Sequence, residues 1–320
     1  MISIPRLGFG LPMLAGLCFM ALSALADTHT WDAGGGSDTK WSAGANWSPS
    51  DTAPDTTDDA LLAGAVDRTV AIGDPDQTIQ NVTVGGSANW TFALSGSYGL
   101  FNNGTFTYGS TGSSQYQAKM AGSGSLKVTA GILRMTRTDN SYTGTTVIEG
   151  GTLHYGGAVP VSGNSALGNA ASAIEVGGGD GSADAALVSH DAGTGPAFNR
   201  AVTVVAGSGL RTIGAQETGL YNRGSFGPIT LSKDVILFGH TTYASTFGGV
   251  ISGSGGIICD SDPSKPGISL SANNSYSGTT LIKTGTVAWN QDVFVNTNSP
   301  VGNGSSPVQI GGGDGSANAA

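Results

Sequence analysis

Cysteine is nearly missing from this 320-residue chain: Cys18 and Cys259 are the two it has. A chain so poor in thiols has no disulfide framework, so its fold must rest on burial and ladder hydrogen bonds. Charge is scarce too, at 11% of residues, and glutamate scarcest of all, at Glu149, Glu175 and Glu217. This shortage of helix formers excludes a helical protein, because Asp, Asn, Ser, Thr and 53 glycines make up a strand-and-turn composition. Bases number 13 against 22 acids, for a net charge of −9 and a pI near 4.6. Such a surface disfavours nucleic acid and anionic lipid as partners. Also lacking are a Gly-x-Ser-x-Gly elbow, His-Glu-x-x-His, Cys-x-x-Cys and a Walker A loop.

The one long apolar run lies in residues 1–26, with Arg6 ahead of Leu14, Leu17, Phe19 and Leu22, and Ala24-Leu25-Ala26 before Asp27. This pattern predicts a Sec-type signal peptide cleaved near Ala26–Asp27. Gly8, Gly10, Pro12 and Gly16 interrupt the run and argue against a membrane anchor, so no membrane span is expected once the leader is removed. Cys18 follows Leu17, where a lipoprotein would need a small residue. Without Arg6 the balance is 12 − 22 = −10, and Cys259 is the only remaining thiol.

What the chain has in abundance is internal repetition. NSYTGTTVIEGGTLHYGG from Asn140 returns as NSYSGTTLIKTGTVAWNQ from Asn274, a spacing of 274 − 140 = 134 that also carries VGGGDGSADAA at Val176 onto IGGGDGSANAA at Ile310. A shorter step, 148 − 128 = 20, lies inside the first copy. It carries Val128, Gly131, Leu133 and Met135 onto Ile148, Gly151, Leu153 and Tyr155. Short β-rich runs cut by glycine read as strands and corners, and a step of about 20 residues fits one coil of a parallel β-helix. Antiparallel hairpins turning at Ala130-Gly131 or Gly150-Gly151 are the alternative that periodicity leaves open.

Two segments resemble a known family. HTWDAGGGSDTKWSAGANWS, with Trp31, Asp32, Trp41, Asn46 and Trp47 followed by Asp58-Asp59-Ala60-Leu61-Leu62, is similar to the opening of many proteins with the autotransporter-associated β-strand repeat. GSGSL with Asn140–Leu153, and GSGGI with Asn274–Val287, resemble the repeat itself. The resemblance implies a right-handed parallel β-helix passenger displayed by bacteria, usually ahead of a translocating barrel or a sorting tail. Two departures stand out. The usual link between the repeat halves is replaced by Val128–Gly131 and by Cys259–Pro266, and the second, proline-bearing stretch predicts a bulged coil.

The expected organisation is a leader at 1–26, an N-terminal Trp-rich cap with first strands at 27–90, and a β-helix at 91–320 with repeat units at about 121–188 and 253–320. The fold expected is all-β, with about ten coils stacked at roughly 4.8 Å into a rod on the order of 50 Å long. Val128, Leu133, Ile148, Leu153, Ile282 and Val287 should point inward. Ala320 aligns with Ala186, which precedes the strand residues Leu187-Val188, so the end is read as a truncation within a coil. Fraying there, or end-to-end self-association, is the consequence expected of an uncovered coil.

No catalytic, metal or cofactor-binding residue is assigned. Asp58-Asp59 and Lys233-Asp234 are the adjacent charged pairs with a catalytic flavour, but strand neighbours point to opposite faces. His29, His154, His190 and His240 are scattered and read as surface or strand residues; the GGGDGSA strings at Gly177 and Gly311 read as turns, and the acids from Asp51 to Asp76 as a solvated face. The tryptophans read as a cap over the first coil, with a sugar-stacking platform as the sharper alternative. The functional expectation is a non-enzymatic, secreted or outer-membrane surface passenger, structural or adhesive. Extracellular polysaccharide or a host or neighbouring cell surface is its expected partner. The rivals are a secreted polysaccharide lyase or hydrolase and a carbohydrate-binding module.

Overall fold

The computed structural model describes residues 26–311 apart from 74, 95–97, 170, 171, 173, 191–196, 217–224, 241 and 294–296, and the side chain of His240. The leader up to residue 25, Glu217, the second GGGDGSA string beyond Gly311, and Asn318 and Ala320 after it lie outside these residues. Every described strand is short, from two to six residues, because glycines and small polar residues end each run at a corner. The chain winds through three faces in constant order. Two faces are sheets of eleven strands each, parallel but for the edge strand Trp47–Ser48; the third is a three-stranded sheet, Gln77–Ile79, Gly99–Asn102 and Lys119–Ala121, followed by a five-stranded one from Ala197 to Trp289. Nine turns carry a strand in both long sheets, close to the ten coils expected. Among the described residues no helix is long and apolar enough to cross a membrane.

The hairpin alternative is overturned. Every described ladder is parallel except Thr28–Trp31 with Trp47–Ser48, inside the N-terminal cap. The 20-residue step is the actual register, with Val128 opposite Ile148, Leu133 opposite Leu153 and Met135 opposite Tyr155. Like positions therefore stack along the rod. On the second face Leu133, Leu153, Leu187, Ile213, Leu237, Cys259 and Ile282 form one continuous inner column. All six residues expected to point inward are buried, the least of them Val287 at 6% exposed. On the third face Phe198, Phe226 and Phe247 stack, the last pair nearly parallel at 4.7 Å, which is the strand spacing itself.

Between the repeat copies the coils lengthen, as the looser spacing leads one to expect: Val188 pairs with Gly214, a step of 214 − 188 = 26. The expected irregularity at Cys259–Pro266 is present too. The register between Ile257–Asp260 and Thr280–Thr284 shifts at Cys259/Asp260, a bulge that leads into the loop bearing Pro263 and Pro266.

The two repeat copies make the same corner. Buried Asn140 accepts the Met120 N–H through Oδ1 at 2.8 Å and donates Nδ2 to the Ala166 carbonyl at 3.0 Å; Asn274 does the same with Ile251 N–H at 2.8 Å and the Pro300 carbonyl at 2.6 Å. Two positions on, the hydroxyl of Tyr142 lies 2.7 Å from that of Thr146, and Tyr276 lies 2.6 Å from Thr280. Ser172 then donates to the Tyr142 carbonyl and Ser306 to that of Tyr276. Gly144 and Gly278 pass so close to the preceding coil that a Cβ would fall 2.4 Å from the Gly124 carbonyl oxygen or 2.3 Å from the Gly256 nitrogen. Only glycine fits there. Yet the copies are not placed alike. Thr146–Ile148 lies on the first face and Gly151–Tyr155 on the second, whereas Thr280–Thr284 lies on the second and Val287–Trp289 on the third. The module has rotated by one face.

Candidate functional site at the tryptophan cap and outer corners

The string W-D…W…NW closes the first coil. Trp31 and Trp41 meet Trp47 edge-on at ring-centroid distances of 5.1 and 4.7 Å, and Trp47 Nε1–H donates to the Trp41 carbonyl at 2.7 Å. Asn46, fully buried, holds the intervening turn by accepting from Gly35 N–H and donating to the carbonyls of Asp38 and Lys40. The cap is docked on the solenoid by Trp41 N–H to the Ala71 carbonyl. With Trp41 and Trp47 wholly buried and Trp31 4% exposed, no ring face is left open to a sugar. That overturns the stacking platform and keeps the cap. Beside it lies a cleft of about 220 Å³, lined by Trp31, Ala33, Gly36, Asp38, Thr39, Asp67, Arg68 and Thr69.

Several aspartates are stitches between coils. Asp67 accepts both the backbone N–H and the side-chain Nδ2 of Asn89, whose own Oδ1 accepts Ser113 N–H one coil later. At the same corner Asp184 takes Leu210 N–H and Asp234 takes Gly256 N–H. A carboxylate one methylene from the backbone reaches the next coil's amide at these corners, a short reach that suits aspartate. Hydrogen bonds from Asn89 hold the Asp67 carboxyl below the usual aspartate value. The two candidate charged pairs belong to this scheme. Asp58 lies 3.4 Å from His29 Nε2, Asp59 accepts from Asn81, and Lys233 donates to the carbonyls of Gly207 and Gly209. The acids between Asp51 and Asp76 lie mostly at the surface, as expected, but they work as turn and coil acceptors; Asp74 is outside the described residues.

The first GGGDGSA string wraps a buried cation. Arg211, 1% exposed, donates Nη2 to the Gly181 carbonyl at 2.8 Å and Nη1 to that of Ala183 at 2.7 Å. Gly177 is indispensable here, at φ +104° and with room for no Cβ, which would fall 2.4 Å from Arg211 Nε. Asp180 faces outward and accepts the Ser182 N–H and hydroxyl, as a turn residue does.

The histidines do not all stay apart. His154 and His190, distant in sequence, lie with ring centroids 4.8 Å apart on the outer side of the second face. Ser189 is paired with Tyr155, so the coil register, rather than any motif, was the signal that could have found this pair. His154 is 4% exposed, and burial, with His190 and Arg134 nearby, pushes its pKa down to about 3. Its neighbour in the ladder, Arg134, donates to the Ser113 hydroxyl. An imidazole kept neutral there, with no carboxylate bonded to it among the described contacts, is suited to packing rather than to proton transfer. Among the described residues no three His, Cys, Asp or Glu side chains cluster closely enough to hold a metal ion.

Residues 122–154 and 269–288 match the family described as Passenger-associated-transport-repeat. No curated protein and no solved structure matches the chain. The matched residues include Asn140, Tyr142, Gly144 and Thr146 in one copy and Asn274, Tyr276, Gly278 and Thr280 in the other, the groups that make the two corners. This chain is a parallel β-solenoid that carries the passenger-associated transport repeat found in autotransporter passengers.

Proposed function

We propose that the chain is the rod of an exported bacterial surface protein, a right-handed β-helix that works as a stalk or adhesive passenger and not as an enzyme. The observation that carries this reading is the use made of the repeat: the buried Asn, Tyr and Thr common to its two copies are spent on hydrogen bonds within the corner and to adjacent coils, leaving the repeat to build length. Right-handed winding is supported by the strong preference of parallel strands for right-handed crossovers. Secretion is supported by the repeat's association with autotransporter passengers and by the pattern of residues 1–26. Chemistry is disfavoured by corner aspartates already engaged by amides of the next coil.

The test places an epitope in the turn at 262–266, between Asp260 and Gly267, in the full-length gene of the source bacterium. Intact cells are then treated with protease. Loss of the epitope from unbroken cells is the expected result. An epitope that stays protected until the cells are lysed would overturn the surface assignment. Hydrolysis of a polysaccharide by the purified chain would instead favour the secreted-enzyme reading.

A further inference from the structure

We infer that the cleft beside the tryptophan cap binds a single neutral sugar ring, held by hydrogen bonds at its rim rather than by stacking. At about 220 Å³ the cleft lies below the roughly 300–1,000 Å³ of sites for drug-sized ligands, so it takes one small ring. Its lining interleaves acceptors and donors: the carboxylates of Asp38 and Asp67, the guanidinium of Arg68, and the hydroxyls of Thr39 and Thr69. Each carboxylate already accepts a neighbouring amide, Asp38 that of Lys40 and Asp67 that of Asn89, and is thereby fixed in place with lone pairs to spare. Arg68 is exposed and makes no ion pair among the described contacts. Trp31 forms one wall, is more than nine-tenths buried, and its indole N–H has no partner. That N–H is sealed from solvent, so the indole reports on a ligand at the rim without bonding it.

The chemistry of the lining selects among ligand classes. An apolar molecule would find only Ala33, Gly36 and part of one indole. An anion would face two carboxylates against one guanidinium, and a lone cation would meet the guanidinium. A polyol matches the mixture, since each hydroxyl both donates and accepts. The backbone around the site is set in advance: Ala33 is held at φ +60°, uncommon for a residue with a Cβ, between the packed Trp31 and the bonds of Asn46. This inference concerns the purified chain and stands apart from where the rod is displayed.

The experiment titrates glucose, galactose, N-acetylglucosamine and galacturonate into the purified mature chain and follows the Trp31 indole N–H resonance. At least one neutral sugar is expected to shift that resonance at millimolar concentration, with galacturonate at least ten-fold weaker. Arg68→Ala and Thr69→Trp, both at exposed positions, should each weaken binding at least ten-fold while leaving the melting temperature within about 2 °C of the parent, as befits surface substitutions. Thr69→Trp fills the cleft without removing a charge, so it keeps the test valid if Arg68→Ala disturbs the corner. The inference is overturned if no neutral sugar moves the resonance, if galacturonate binds equally well, or if both variants bind like the parent.

Discussion

Replacing Asn140 with alanine tests whether the repeat is a structural corner. The substitution removes the acceptor of Met120 N–H and the donor to the Ala166 carbonyl, and a third contact of 3.2 Å to the Arg137 carbonyl. Asn140 itself is fully buried and Met120 is 1% exposed, so water does not reach the released amide without opening the coil. At about 1–3 kcal/mol for each buried group left unsatisfied, an amide and one carbonyl sum to roughly 2–6 kcal/mol, and about 3–4 is expected. Against an ordinary domain stability of about 5–15 kcal/mol this is a large local loss. A solenoid coil is stabilised mainly by its neighbours, so the assay should be local. Amide hydrogen exchange is the measure: Met120 and the amides stacked on it should lose protection by a factor on the order of 10² or more. The equivalent Asn274→Ala should release Ile251 in the same way, although it lies on a different face. The reasoning fails if Met120 stays protected in Asn140→Ala, or if both variants cost less than about 0.5 kcal/mol, the range of an ordinary surface substitution.

Four further outcomes are expected. Tyr142→Phe should cost about 1 kcal/mol by stranding the Thr146 hydroxyl, and adding Thr146→Val should recover part of it in a double-mutant cycle measured by urea denaturation. Trp47→Ala should cost about 3–5 kcal/mol and open the cap, read as early proteolysis within residues 27–60 while the later coils persist. Cys259, wholly buried with its thiol pushed up to about 12, should resist thiol reagents at pH 8 until the chain is unfolded. Stability should fall on acidification: the unfolded His154 takes up a proton near 6.5 while the folded one resists to about 3, and Asp67 and Asp139 are held below 3.8, so the loss begins near pH 6.5 and deepens below pH 4. Melting temperatures at pH 7, 5 and 3.5 decide this, and a maximum at pH 5 or below would contradict it.

The sequence carried the coil and the core because both are periodic. A 20-residue step in apolar and glycine positions is enough to pair Val128 with Ile148 and Leu133 with Leu153, and the proline-bearing stretch after Cys259 announced its bulge. The burial of Trp31, Trp41 and Trp47 followed from the need to close an apolar end. Harder to see was anything that depends on unequal coil lengths. The step grows to 188 − 154 = 34 at His154–Val188, so the meeting of His154 with His190 has no fixed spacing to betray it. The role of Arg211 is equally hidden, since its partners are carbonyl oxygens and carbonyls leave no mark in a sequence. The cleft at Arg68 and Thr69 arises where the cap loop rests against the first full coil, a contact set by the Lys40–Ala71 bridge rather than by local pattern.

The rotation of the repeat by one face bears on what such a module can be for. A binding motif iterated along a rod would present its contacts in one direction, so that a long ligand could meet several copies. Here Val147 and Leu281, equivalent outward positions of the two copies, stand on different faces, and so do His154 and Ala288. Their surroundings differ, while the buried Tyr–Thr contact and the amide bond to each asparagine agree to a tenth of an ångström. What is preserved is therefore the inward geometry of a corner, and a corner can be placed between any two faces that meet at the same angle. The repeat specifies how one coil turns onto the next and is indifferent to which side of the rod it occupies. On the proposed reading, recognition then falls to what differs between coils, the cap cleft above all.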